Sequence, residues 1–331
     1  MNILLTGGAG YIGSHIAVEL LKLNYKIIII DNFLNSNINA IDGIKKISKK
    51  NFKFYNIDLR VPDNVDYVFS NNQIDCIIHL AGFKSVSESI SSPLKYYENN
   101  INSTINILNA MEKYSVKNII FSSTAMVYSI ENKMPLSEKS KIKPSSPYGF
   151  SKLFCEQIIE DFCIKNNSSA VILRYFNPIG AHYSGIIGEN PVGIPNNLMP
   201  FILNVASGKE KNIKIFGNDY DTKDGTGARD YVHIFDLAMW HISAIDFCKK
   251  NKGIEIFNLG TGKGTTVLEI INEFEKVSNI KIPIIISERR IGDMPISYTK
   301  TKKAQMLLNY KAQKSIEEMC FDAYNYYKKH I

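Results

Sequence analysis

Glycines at 7, 10 and 13, in Gly7-Gly8-Ala9-Gly10-Tyr11-Ile12-Gly13, stand between an apolar run, Asn2 to Thr6, and a segment with helical apolar spacing, Tyr11 to Lys22. Strand, glycine turn and helix in immediate succession let a helix N-terminus, with its unpaired N–H groups and positive dipole end, receive a pyrophosphate. A glycine string alone is weak, since tight turns everywhere use glycine. Here the next apolar run, Ile27 to Ile30, ends at Asp31, at the spacing where an acid accepts from adenosine ribose hydroxyls and repels a 2′-phosphate. The expected cofactor is NAD, not NADP.

The alternation continues. Phe52 to Ile57, Cys76 to Leu80, Asn118 to Ser122 and Ala170 to Tyr175 read as buried strands, separated by helix-like Val65 to Ser70, Tyr96 to Tyr114 and Tyr148 to Lys165. This predicts an α/β fold: a doubly wound parallel sheet of Rossmann type with a smaller α+β substrate domain. Residues 177–231, rich in Gly, Pro and Asn, read as mainly loop. A helix near Asp236 to Phe247 and a strand from Ile254 to Leu259 return to the sheet, and the tail mixes helix with one strand, Ile282 to Ile286. The expected division is a cofactor domain of residues 1–176, joined by segments near 231–260, and a substrate domain of 177–230 and 261–331.

Composition narrows the class. With 331 residues, 45% hydrophobic and 21% charged, the chain can build a sizeable core and is not disordered throughout. The net charge of +7 is mild and spread over Lys pairs, so nucleic acid is not an expected partner. No apolar run approaches the roughly 20 residues of a membrane span, and no secretory signal opens the chain. Five scattered cysteines with no C-x-x-C pair read as reduced thiols in a cytoplasmic protein, and no metal is assigned.

Tyr148-Gly149-Phe150-Ser151-Lys152 carries the sharpest chemistry. Tyr and Lys four apart share one helical face, and Pro147 suits the helix start. A phenol titrates near 10, too high for a base at neutral pH, but a nearby ammonium and a positively charged nicotinamide lower that value. Tyr148 could then take a proton from a substrate hydroxyl while hydride leaves the same carbon. Thr124, in Phe121-Ser122-Ser123-Thr124, puts a hydroxyl at a strand end where it can share that proton. Asp58 and Ala81-Gly82 fall at strand ends that line the expected cofactor crevice. His79 reads as a packed residue and receives no role.

Gly-Gly-Ala-Gly-Tyr-Ile-Gly-Ser-His at 7–15, Leu80-Ala81-Gly82-Phe83-Lys84, Arg174-Tyr175-Phe176-Asn177-Pro178, Pro195-Asn196-Asn197-Leu198-Met199-Pro200 and Asp224-Gly225-Thr226-Gly227-x-Arg229-Asp230-Tyr231 together carry a resemblance. The chain resembles the UDP-hexose 4-epimerases of the extended short-chain dehydrogenase/reductase family, from residue 3 to about 320. The last two motifs are the specific ones. The resemblance implies a tightly held NAD, transient oxidation of the sugar at C4 and return of hydride to its opposite face, interconverting UDP-glucose and UDP-galactose. It implies Tyr148 as base, Lys152 as its tuning cation, and Thr124 where relatives usually carry serine. It implies cofactor contacts from Gly7, Gly10, Tyr11, Ile12, Gly13, Asp31, Asn32, Asn35, Ser36, Asp58, Leu59, Leu80, Ala81, Gly82, Lys84, Asn99, Tyr148, Lys152 and Phe176. Substrate contacts are implied for Lys84, Thr124, Tyr148, Asn177, Asn197, Leu198, Phe216, Arg229, Arg290, Asp293 and Ser297, with Arg229 and Arg290 as forked donors to the diphosphate.

Ser297 matches a position that is a large Tyr in relatives restricted to glucose and galactose. A small residue there leaves room for a 2-acetamido group, so UDP-GlcNAc and UDP-GalNAc are expected substrates too; a slip of one residue would put Tyr298 in that place instead. A 4,6-dehydratase shares the fold but needs an acidic pair beside the catalytic Thr, where this chain has Ala125 and Met126. A dehydrogenase would release NADH, and a non-catalytic NAD-responsive protein would have no need of the Tyr-Lys pair. The resemblance also implies a homodimer, through a helical face including parts of Tyr96 to Tyr114 and Gln157 to Lys165.

Overall fold

The computed structural model describes residues 1–191, 195, 197–289 and 294–330. Seven strands form one parallel sheet: β1 (Asn2–Thr6), β2 (Lys26–Asp31), β3 (Lys53–Asn56), β4 (Cys76–His79), β5 (Asn118–Thr124), β6 (Ser169–Tyr175) and β7 (Gly253–Leu259). Their spatial order is 3-2-1-4-5-6-7, so the direction of winding reverses between β1 and β4. A reversal opens a crevice beyond the strand C-termini. The expected α/β fold is therefore the one formed.

Both faces of the sheet are covered, which is why its strands read as continuous apolar runs. Ile3 and Leu5 of β1 join Ile16, Ala17 and Leu20 of helix α1 (Tyr11–Lys22) in one core; Leu4 faces the other, with Ile77, Ile119 and Met111. Trp240, in the helix Ile234–Lys250, is buried on the first side. On the second lie α2 (Pro93–Lys113) and α3 (Pro147–Asn166), packed side by side. Each begins with Pro in its first turn, where the missing N–H breaks no helical bond. Ser146 caps α3 by accepting from the Gly149 N–H at 3.2 Å.

Loops dominate the described part of 177–231, as expected, but Leu198–Ala206 within it is a helix that was not foreseen, with Met199, Ile202 and Leu203 buried in a third core alongside Ile270, Phe274 and Met319. Pro200 disguised it, yet Pro is tolerated in a first turn. The polar stretch after β2 also hides a helix, Ile38–Ser48, whose Ile41 and Ile44 are buried against α1 and β2 and whose N-cap is Asn37. The tail strand is Ile284–Ser287, paired in parallel with Ile213–Phe216 outside the main sheet.

Candidate active site

The glycine turn is shaped by close approach. Gly7 has φ +68°, and a Cβ on it would lie 2.8 Å from the Ala81 N; one on Gly13 would lie 2.4 Å from the Gly7 O. Side chains at either place would push α1 away from the strand ends. No side chain caps α1, so its N-terminal donors face the crevice. Asp31, at the end of β2, accepts from the Ala9 N–H at 2.9 Å, the Phe33 N–H at 3.0 Å and Ser36 Oγ at 2.7 Å. Its carboxylate thus braces the turn before it meets any ligand.

The crevice has an open volume of about 1490 Å³, mouth included. Every expected cofactor residue lines it except Tyr148, Lys152 and Phe176. Asp58 is accompanied by an unforeseen partner: Arg60 Nε donates to its Oδ1 at 3.0 Å and Arg60 Nη2 to its Oδ2 at 2.6 Å, holding this carboxyl below the usual range. An Asp-x-Arg pair was visible in the sequence but has no helical or strand rule behind it. A bare-backbone wall, a glycine cradle that Cβ atoms would fill, free helix donors and Asp31 together fit a dinucleotide.

Lys152 lies directly behind the lining of that crevice, beside Ser122 and Gly82, and Tyr148 stands one helical turn before it on the same face of α3. Both are buried. Lys152 Nζ donates to the Ser122 carbonyl at 2.9 Å, and Ser122 itself lines the crevice. The ammonium lies 4.9 Å from the centroid of Phe121, and a Cβ on Gly82 would sit 3.4 Å from Nζ. Burial lowers its pKa to about 8. Burial pushes the Tyr148 phenol up to about 12, opposed by a hydrogen bond with Thr124. Thr124 ends β5, opposite Tyr175 of β6, and its Oγ1 also accepts from the Met126 N–H at 3.2 Å. The three expected catalytic groups are therefore together.

His79, a packed residue as expected, ties elements together beneath the crevice wall. Thr6 Oγ1 lies 2.7 Å from its Nδ1 and Thr104 Oγ1 lies 3.1 Å from its Nε2, linking β1, β4 and α2. Thr6 Oγ1 accepts from the Leu80 and Ala81 N–H groups, at 3.2 and 3.3 Å. The same threonine thereby fixes the wall.

Of the expected substrate residues, Lys84 and Asn197 meet at one atom. Lys84 Nζ and Asn197 Nδ2 both donate to Glu189 Oε1, at 3.0 and 2.6 Å. Residues 105 apart in the chain cannot announce such a clasp by spacing. Arg229 and Ser297 are opposite one another in short parallel strands, Ala228–Arg229 and Ile296–Ser297, and Arg229 Nη1 donates to the Met294 carbonyl at 2.8 Å. A Cβ on Gly264 would meet Ile296 Cγ2, Ala228 Cβ and Tyr298 Cδ1 at 3.5, 3.6 and 3.6 Å. Ile296, Tyr298 and Ala228 thus share one face, leaving Ser297 and Arg229 on the other. Asn177 is exposed and Phe176 buried beside Val127 and Leu136. Leu198 packs against the third core and Phe216 ends its strand; neither lines the crevice. Arg290 and Asp293 lie outside the described residues.

Residues 4–323 match the family model described as GDP-mannose 4,6 dehydratase. The chain is 47% identical to a UDP-glucose 4-epimerase of Bacillus subtilis (strain 168) over 332 residues, which is 100% of this chain and 98% of that one. It is similar to the crystal structure of UDP-glucose 4-epimerase from Bifidobacterium longum in complex with NAD+ and UDP: TM-score 0.96, 44% identity, 99% and 98% of the two chains covered. It is also similar to the UDP-Glc/GlcNAc 4-epimerase of Campylobacter jejuni: TM-score 0.87, 35% identity, 99% of each chain covered.

Proposed function

This chain belongs to the UDP-glucose 4-epimerases of the extended short-chain dehydrogenase/reductase family, and we propose that Tyr148, Lys152 and Thr124 carry its proton chemistry. The enzyme is NAD-dependent and interconverts UDP-glucose and UDP-galactose. When bound, NAD would be held by the glycine turn, Asp31 and the Leu80–Gly82 wall and would supply the hydride acceptor and donor for C4 of the hexose. Tyr148 Oη takes the C4 hydroxyl proton as hydride leaves and gives it back as hydride returns, so no net proton is released. Burial alone holds the phenol protonated, which is why Lys152 matters: its charge favours the phenolate. Thr124, hydrogen-bonded to Tyr148, holds the phenol toward the reacting oxygen. The single observation carrying this reading is the convergence of Tyr148, Thr124 and Lys152 beside Ser122, which lines the crevice.

The remaining expected contacts divide by place. The glycine turn, Asp31 and the Leu80–Gly82 wall hold the cofactor; Lys84, Asn177, Asn197, Leu198, Phe216, Arg229, Arg290, Asp293 and Ser297 hold the UDP-sugar. We assign the cofactor to a domain of residues 1–176 with segments near 231–260, and the UDP-sugar to 177–230 and 261–331. A dehydratase is disfavoured by Ala125 and Met126, which supply no acid beside Thr124.

The N-acetylated sugars are proposed as further substrates. Ser297 shares its strand face with Arg229, whereas Tyr298 turns to the opposite face against Gly264, which removes the large side chain from the substrate side. That the Campylobacter jejuni relative is described as a UDP-Glc/GlcNAc 4-epimerase is consistent with this.

We further propose a homodimer through α2 and α3. Phe150, Phe154 and Leu94 are exposed there, and the rings of Tyr97 and Phe154 are 6.2 Å apart, an apolar patch suited to a second copy. Light scattering of the purified protein reads this directly; a monomer would refute it. The described residues include no helix long and apolar enough to cross a membrane, and the five buried, unpaired thiols suit the reducing cytoplasm; interconversion of UDP-glucose and UDP-galactose suits a role in galactose metabolism.

The test is product analysis with UDP-glucose, UDP-galactose and both N-acetyl forms, without added NAD, on the wild type and Tyr148→Phe. The variant should keep its NAD and lose activity by about 10²-fold or more. Near-normal turnover would overturn the assignment of the base.

A further inference from the structure

Helix α3 carries Tyr148, Lys152 and Glu156 at four-residue intervals, so all three share one face. The first two belong to the proposed site and the third is buried beyond it. Arg174 Nε donates to Glu156 Oε1 at 3.0 Å and Arg174 Nη2 to Oε2 at 2.5 Å, a two-bond fork. Ser123 Oγ donates to Oε1 as well. Arg174 is 1% exposed; its Nη1 donates to Tyr128 Oη at 2.9 Å, and Tyr128 donates onward to Asn258 Oδ1 at 2.7 Å.

The anchor points are the strand ends of the reaction site. Ser123 and Arg174 are register partners across β5 and β6, and the next pair along is Thr124 and Tyr175. An ion pair taken wholly out of water gains little stability over apolar groups of the same shape, but it holds its partners in one geometry.

Resting on the assignment of Tyr148 and Lys152 above, we propose that Glu156 and Arg174 are positioning residues for the reaction. The fork sets the height and rotation of α3 against β5 and β6, and puts a carboxylate one helical turn beyond Lys152.

Groups from every neighbouring element surround that ammonium. Cys155 and Glu156 face it from α3, where Tyr148 stands one turn before it, His79 from β4, Asn100 from α2, the Ser122 carbonyl and Phe121 ring from β5, and Arg174 of β6 is engaged by Glu156 itself. Burial holds His79 neutral, with a pKa near 3, and pushes the Cys155 thiol up. Burial lowers Lys152 to about 8, while Cys155 and then Glu156 favour its charged form; with the thiol pushed up, Glu156 is the carboxylate of the two.

The experiment uses the NAD-loaded enzyme and Glu156→Gln, which keeps shape and one acceptor but removes the charge. We expect retained NAD, a KM for UDP-glucose within about twofold, kcat down by about tenfold from misplacement, and an alkaline limb of kcat displaced by roughly half a pH unit or more toward lower pH. Arg174→Lys, which keeps the charge and loses the fork, should lower kcat similarly while leaving the limb near its wild-type place. Should Glu156→Gln fold poorly, Glu156→Gln with Arg174→Met removes both charges, and the limb must still move. A wild-type kcat and unmoved limb, with only the melting temperature changed, would overturn the proposal. Near-normal activity of Tyr148→Phe would instead overturn the base assignment, so the two failures are distinguishable.

Discussion

Lys152 Nζ is held by the Ser122 carbonyl at 2.9 Å, and Ser122 lies two residues before Thr124 on the strand whose end forms the reaction site. One bond therefore connects the cation on α3 to the floor of the crevice. Replacing Lys152 by Met should lower kcat by about 10²-fold or more, because the phenol of Tyr148 loses the charge that favours its ionised form. For the wild type, kcat/KM should fall as pH rises through about 8, where the buried ammonium is lost. A pH–rate profile checks both, and an alkaline limb that persists unchanged in Lys152→Met would assign it to another group.

Asp31 accepts from two backbone N–H groups and Ser36 before it meets any ribose. Asp31→Ala should therefore cost both cofactor and stability, by about 1–3 kcal/mol for the buried donors left unpaired. The checks are NAD content after gel filtration and the denaturant midpoint. Full NAD content with a wild-type midpoint would show that the glycine turn needs no brace.

Ser297 and Arg229 occupy one face of adjoining strands while Tyr298 occupies the other. Ser297→Tyr should abolish turnover of UDP-GlcNAc and keep turnover of UDP-glucose within about tenfold, the range one pocket group commonly controls. Equal loss on both substrates would mean that the side chain is not facing the sugar.

How much of this was legible depends on range. The glycine turn and the Tyr148–Lys152 pair rest on short-range rules, i to i+3 and i to i+4, so they were readable in full. Asp31 was readable as a candidate ribose partner but not as the acceptor for Ala9 N–H, because that bond runs from the end of β2 to the turn after β1. The Glu189 clasp on Lys84 and Asn197, and the Glu156–Arg174 fork, join residues that only the fold brings together. The helix Leu198–Ala206 was hidden because Pro200 and the Asn-rich approach carry loop signals, while its support comes from Ile270 and Met319 far along the chain.

Four of the five buried histidines among the described residues make acid stability a further test. Burial lowers the pKa of His15 and His79 to about 3 and of His182 and His241 to about 4, against 6.5 for an unperturbed imidazole. Below pH 6.5 the unfolded chain takes up these protons and the folded chain does not, so stability falls with pH until the folded values are reached. The loss is about 1.4 kcal/mol per pH unit for each fully linked histidine. Denaturation between pH 7 and 4.5 should show a steep decline that His241→Phe reduces. A flat profile in that window would mean that these rings are already charged in the native state.

Hydride leaves C4 of the sugar and returns to C4 without exchanging with water. Turnover of UDP-glucose deuterated at C4, in ordinary water with no added NAD, measures this. UDP-galactose that retains the deuterium at C4 is the expected product. Loss of the label to solvent, or accumulation of an oxidised sugar with stoichiometric NADH, would contradict this direct return.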